Sequence, residues 1–91
     1  MAQVIVTLRI MPTSPDVNLA SVEKKAEKEI TLFEGKVAKK EIVPVAFGLN
    51  ALVIHFIMQE SKGSTEKLET SISEIKGVNS VDVTDVRRAV G

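Results

Sequence analysis

The apolar residues of this chain switch between two spacings, and the same succession of spacings runs through twice. Few folds satisfy that order. From Gln3 to Met11, Val4, Val6, Leu8 and Ile10 alternate with Gln3, Ile5, Thr7 and Arg9, the period of a half-buried strand. Pro12 and Pro15 end the run. Leu19, Val22, Ala26, Ile30 and Phe33 then recur at three- and four-residue steps, which puts them on one face of a helix. Asn18 or Asp16 is placed to cap that helix, and Gly35 to stop it. Lys36 to Ala46 reads as a second strand. Its central Lys39, Lys40 and Glu41 and its Pro44 suit an edge position, where charge and a missing donor are tolerated. After a turn at Phe47–Asn50 the succession repeats. Ala51 to Met58 is apolar on both faces, as a central strand should be. Leu68, Ile72 and Ile75 form a second helical stripe, with Ser64 or Thr65 as its cap and Gly77 as its stop. Val78 to Val86 is a last strand, followed by a tail from Arg87 to Gly91. Two strand–helix–strand halves joined by a tight turn predict an α+β, ferredoxin-like βαββαβ sandwich, with four antiparallel strands and two helices on one face.

At 91 residues the chain is expected to be one domain, residues 1–91, with a single two-layer core. The composition removes most uses of this fold. The chain has no cysteine, which excludes disulfides, thiolate metal sites, iron–sulfur clusters and a cysteine nucleophile. Twelve basic residues balance twelve acidic ones, so no net field drives binding to nucleic acid or an anionic membrane. With three Phe and no Tyr or Trp there is no base-stacking platform on the two central strands. No apolar run reaches the length of a membrane span, and the expected location is the cytoplasm.

No constellation for covalent chemistry stands out. His55, the single histidine, has no acidic neighbour in sequence and is read as a surface or half-covered strand residue. Glu60, Asp82 and Asp85 are read as solvent-facing carboxylates in preference to a cation site, so no metal and no cofactor is expected. The serines and threonines of the second half sit at turns and on helix surfaces. Two features resist a purely structural reading. Phe47 precedes Gly48 at a turn, where it either folds back onto the core or projects as a wedge for a partner. Arg87 and Arg88 follow the last strand, either as a solvated chain end or as cations offered to a phosphate-bearing or acidic partner.

Three stretches carry a family resemblance: Met11-Pro12-x-Ser14-Pro15-Asp16-Val17-x-Leu19, Pro44-x-Ala46-Phe47-Gly48-Leu49-x-Ala51-Leu52, and Val83-Thr84-Asp85-Val86-Arg87-Arg88. Over essentially its whole length the chain resembles the elongation factor 1-beta/delta family of guanine nucleotide exchange domains, in the short archaeal form. The resemblance implies an exchange factor that promotes GDP-to-GTP exchange on elongation factor 1-alpha during translation elongation, without making or breaking covalent bonds. It implies that Phe47 packs against that GTPase, with Gly48 keeping the turn tight and Asn50 beside it. Eukaryotic members carry a lysine near the C-terminus that reaches towards the magnesium site of the GTPase. Gly91 stands at that position here, and Arg87 and Arg88 are the cations nearby. The competing expectation is a small-ligand-sensing or dimerising regulatory module of the same fold, in which the turn and the two arginines would be incidental.

Overall fold

A computed structural model describes residues 2–89 of the chain. The alternating first segment forms β1 (Gln3–Pro12), followed by α1 (Leu19–Leu32) and β2 (Lys36–Pro44). A short 3-10 turn at Ala46–Gly48 leads into β3 (Asn50–Gln59), and another at Glu60–Lys62 leads towards α2 (Glu66–Ser73) and β4 (Val78–Arg88). The four strands form one antiparallel sheet in the order β2-β3-β1-β4. The expected βαββαβ sandwich is therefore present. The charged, proline-containing β2 lies on an edge, and the strand that is apolar on both faces lies inside.

Several element ends differ from the sequence expectation: β3 is longer by one residue at each end, and α2 ends at Ser73, short of Ile75 and the expected Gly77 stop. β1 runs on through Pro12, which pairs with Val78 at the strand end, where its missing donor disturbs the ladder least. β2 stops at Pro44, because Val45 and Ala46 already belong to the turn. β4 continues past Val86 to Arg88. Arg87 pairs with Ile5 and Arg88 with Val4, so the two arginines are strand residues, not a tail. Sequence pattern missed this because two adjacent charges end the apolar alternation, whereas backbone pairing depends only on β1 being long enough to receive them. Val90 and Gly91 lie outside the described residues, so the position matched to the eukaryotic lysine does too.

The core lies between the sheet and the helices. Val6, Leu8 and Ile10 of β1 and Leu52, Ile54, Phe56 and Met58 of β3 meet Val22, Ala26 and Ile30 of α1 and Leu68 and Ile72 of α2. Their mutual burial, at about 25 cal/mol per Å² of apolar surface, is what closes the two layers. Asn18 caps α1, its side-chain oxygen accepting from the amides of Ala20 and Ser21 at 3.0 and 3.3 Å. At the other end of α1 the left-handed position falls on Glu34 (φ 67°), not on Gly35. The Gly35 amide donates to Ile30 and that of Glu34 to Thr31, the double bond of a Schellman stop. Gly35 is needed for space instead: a Cβ there would lie 2.9 Å from Ile30 and 3.0 Å from Phe56. Ahead of α2 it is the Ser64 hydroxyl that accepts from a first-turn amide, that of Glu66 at 3.1 Å, while Thr65 donates to Glu69.

Candidate partner-binding site

The β2–β3 connection closes tightly. The Val45 amide donates to Leu49 at 2.8 Å, and the Leu49 amide returns to Ala46 at 3.2 Å. Two successive residues inside it take the left-handed conformation, Phe47 (φ 60°, ψ 32°) and Gly48 (φ 74°). Glycine adopts this freely. For a phenylalanine it costs on the order of 1–2 kcal/mol. Phe47 recovers none of that from the core, since it is 94% exposed. Phe47 therefore does not fold back onto the core. Ile42 and Val43 are also exposed on the same hairpin, and Asn50 lies exposed where β3 begins. The ring is thus held in an unfavourable backbone conformation and presented to solvent, where it adds no buried contact to the core.

Arg87 and Arg88 occupy the other end of the sheet. β1 pairs Ile10 with Leu52 near the turn and Val4 with Arg88 far from it. At about 3.3 Å per residue those rows are roughly 20 Å apart, and the turn lies beyond the nearer one. The molecule is 42 Å long. The five residues expected to meet a partner thus form two groups, with Phe47, Gly48 and Asn50 at one end and Arg87 and Arg88 at the other.

Paired residues share a face, so Arg88 points to the helix side with Val4, and Arg87 points to the open face with Ile5. A bulge sets this parity. Leu8 pairs with Val83 but Thr7 with Asp85, leaving Thr84 as the extra residue. Both arginines have partners within the chain. Arg87 Nε donates to Asp85 at 2.8 Å, and a terminal nitrogen of Arg88 donates to Glu60 at 3.0 Å. Asp82 faces Arg9 at 3.7 Å. Glu60, Asp82 and Asp85, weighed above as a hard-cation site, are thus spread over separate ion pairs. Among the described residues no three metal-ligating side chains come together.

His55 is the half-covered strand residue expected, and it gains partners that sequence did not show. Its Nδ1 lies 3.0 Å from the Thr7 hydroxyl and its Nε2 lies 3.1 Å from a Glu41 carboxylate oxygen, joining β1, β3 and β2 across the open face. Its partners stand 48 and 14 residues away, so no local pattern could have shown them. The His55 hydrogen bond, followed by the charge of Lys39, holds the Glu41 carboxyl below its usual value. On the helix side Lys40 bridges Glu23 and Glu27 of α1, and the Glu27 bond holds the Lys40 ammonium above its usual value. Neither cluster touches the two ends of the sheet.

Comparison with known proteins places the fold and the family. Among solved structures, the C-terminal domain of the MgtC protein from Mycobacterium tuberculosis superposes with a TM-score of 0.64 at 15% identity, over 97% of this chain and 88% of that one. The ACT domain of GTP pyrophosphokinase from Chlorobium tepidum gives 0.59, also at 15% identity, over 87% and 95%. Identity that low shows a shared fold and no more. Sequence relatives say more. An elongation factor 1-beta from Methanothermobacter thermautotrophicus is 42% identical over 97% of this chain and 98% of its own length. One from Methanobrevibacter smithii is also 42% identical, and one from Hyperthermus butylicus is 36% identical, each over 97% of this chain. Residues 5–89 match the EF-1 guanine nucleotide exchange domain, so the chain belongs to that family of exchange factors.

Proposed function

We propose that the chain speeds GDP release from elongation factor 1-alpha by gripping the GTPase with both ends of its sheet. The observation that carries this reading is Phe47, an exposed aromatic held in a left-handed turn and not buried in the core. An apolar anchor of this kind is the usual energetic centre of a protein interface. The arginine end supplies charge. A nucleotide site concentrates negative charge from two phosphates and the carboxylate supporting the magnesium ion, and a cation reaching it stabilises the state in which GDP is loosening. An exchange factor needs no covalent step. It binds the nucleotide-free GTPase better than the GDP-bound form, and by reciprocity weakens GDP binding by the same factor.

Separation of the two ends gives the arrangement its leverage. Contacts about 20 Å or more apart on a rigid sheet fix the orientation of the partner as well as its position. A sheet whose central strands are buried along their helix-facing side does not bend to suit. The cytoplasm, where translation takes place, is the location this activity requires, and no helix among the described residues is long and apolar enough to cross a membrane. The test is release of a fluorescent GDP analogue from purified elongation factor 1-alpha, with and without the chain. Acceleration at substoichiometric amounts supports the proposal, and a rate equal to spontaneous release rejects it.

A further inference from the structure

The helix layer is shorter than the sheet it covers. α2 has eight residues and spans about 12 Å, whereas β1 has ten and spans about 33 Å. The helix side of the sheet is therefore left open at the Arg88 end, where a groove of about 430 Å³ lies between β1, β4 and the start of α2. Its floor is apolar, made by Val4, Val6, Met58, Val83 and Val86. Val86 is 57% exposed there, although the strand pairing directs it to the same side as the core. The rim is acidic. Glu60, Glu66 and Glu69 stand on it, and of these Glu60 holds Arg88 and Glu69 accepts from the Thr65 hydroxyl. Glu66 extends from the first turn of α2.

We infer that this groove takes an apolar side chain flanked by lysine or arginine on the surface of the GTPase partner. The floor selects the apolar group, and about 430 Å³ gives it room. The rim selects cationic neighbours, because a carboxylate-bearing segment would face three glutamates. Arg88 joins the groove to the proposed nucleotide-facing contact. It pairs with Val4 on the floor and bonds Glu60 on the rim, so a segment seated in the groove competes for Glu60 and frees Arg88 to turn towards the GTPase. This inference rests on the proposed function, and it adds a second apolar contact at the end that sequence reading described by charge alone.

The experiment follows methyl signals of the full chain, labelled at Ile, Leu, Val and Met, as unlabelled nucleotide-free elongation factor 1-alpha is added. Val4, Val6, Val83, Val86 and Met58 should shift or broaden together with Ile42 and Val43 beside the Phe47 turn. In GDP release, Val86→Glu and Glu66→Lys should each slow the stimulated rate on the order of tenfold, and the Glu66→Lys defect should shrink as salt rises. Perturbation confined to the turn, with both variants exchanging at the parental rate, overturns the groove and leaves the exchange function standing. Silence at both ends, with no stimulated release, overturns both. The methyl titration uses the unsubstituted chain, so a variant that fails to fold does not weaken the test.

Discussion

The two ends of the sheet differ in what folding has already done with them. At the turn, Phe47 is left-handed, bare and without a partner among the described residues. At the far end, Arg87 and Arg88 are strand-paired and each holds a carboxylate, Asp85 and Glu60. Binding at the turn therefore breaks nothing and removes a large apolar surface from water. Binding at the arginines exchanges existing surface ion pairs for new ones, and such pairs contribute little each. Net gain should therefore be concentrated at the turn, while the arginine end decides where charge is delivered.

The largest expected effect follows from that asymmetry. Phe47→Ala should reduce stimulated GDP release by at least about tenfold, as loss of an interface anchor typically does, with little change in melting temperature. Phe47→Gly should lose exchange similarly while gaining on the order of 1 kcal/mol in stability, because it removes the left-handed cost. Stability and activity moving in opposite directions would mark Phe47 as retained for binding. A melting temperature lowered by either change, with normal exchange from the folded fraction, would instead make Phe47 a structural residue.

The arginines come next. Arg88→Ala should slow release several-fold and Arg87→Ala should be close to neutral, since the two point to opposite faces and only Arg88 adjoins the groove on the helix side. Salt titrations of the release rate check this, because the Arg88 variant should also lose part of the parental salt sensitivity. Equal effects of the two would mean that the open face is engaged as well.

Smaller effects belong to the middle of the sheet. Glu41 is held below its ordinary value of 4.5 by His55 and Lys39, so its ionised form is favoured by folding. That contribution is present above the unfolded value and is lost as pH falls through the lower folded one. Glu41→Gln should accordingly flatten the acid side of the stability curve, as read by denaturant unfolding at stepped pH, and an unchanged acid limb would show that the bond to His55 contributes nothing. His55→Gln should leave exchange unchanged from mildly acidic to neutral pH, because the imidazole lies mid-sheet, apart from both ends. A pH-dependent release rate that disappears in this variant would place the open face in the interface.

What could be read from sequence divides along physical lines. Element order, the edge position of β2, the Asn18 cap and the helix faces around Ala26 and Ile72 follow from local spacing and turn chemistry, and they were legible. Features that depend on pairing between distant strands were not. The bulge at Thr84, the extension of β4 to Arg88 and the Thr7–His55–Glu41 chain exist because particular residues face each other across the sheet. For the candidate site, Phe47 stood out by residue type at a glycine turn, but its exposure required the structure. Its separation from Arg87 and Arg88 follows from the alternating strand directions of the expected sheet, whereas the distance between them depends on register. The groove left no local signal, because it arises from a mismatch in length between α2 and the strands beneath it.

One measurement bears most directly on the claim that both ends act on one partner. Release of a fluorescent GDP analogue from elongation factor 1-alpha should be followed with the parent chain, Phe47→Ala, the double variant Arg87→Ala/Arg88→Ala, and all three changes together. Alteration of each end should slow stimulated release by itself, all variants should keep the parental melting temperature, and the combined variant should fall to near the spontaneous rate. A folded variant altered at either end that still matches the parent would contradict that claim.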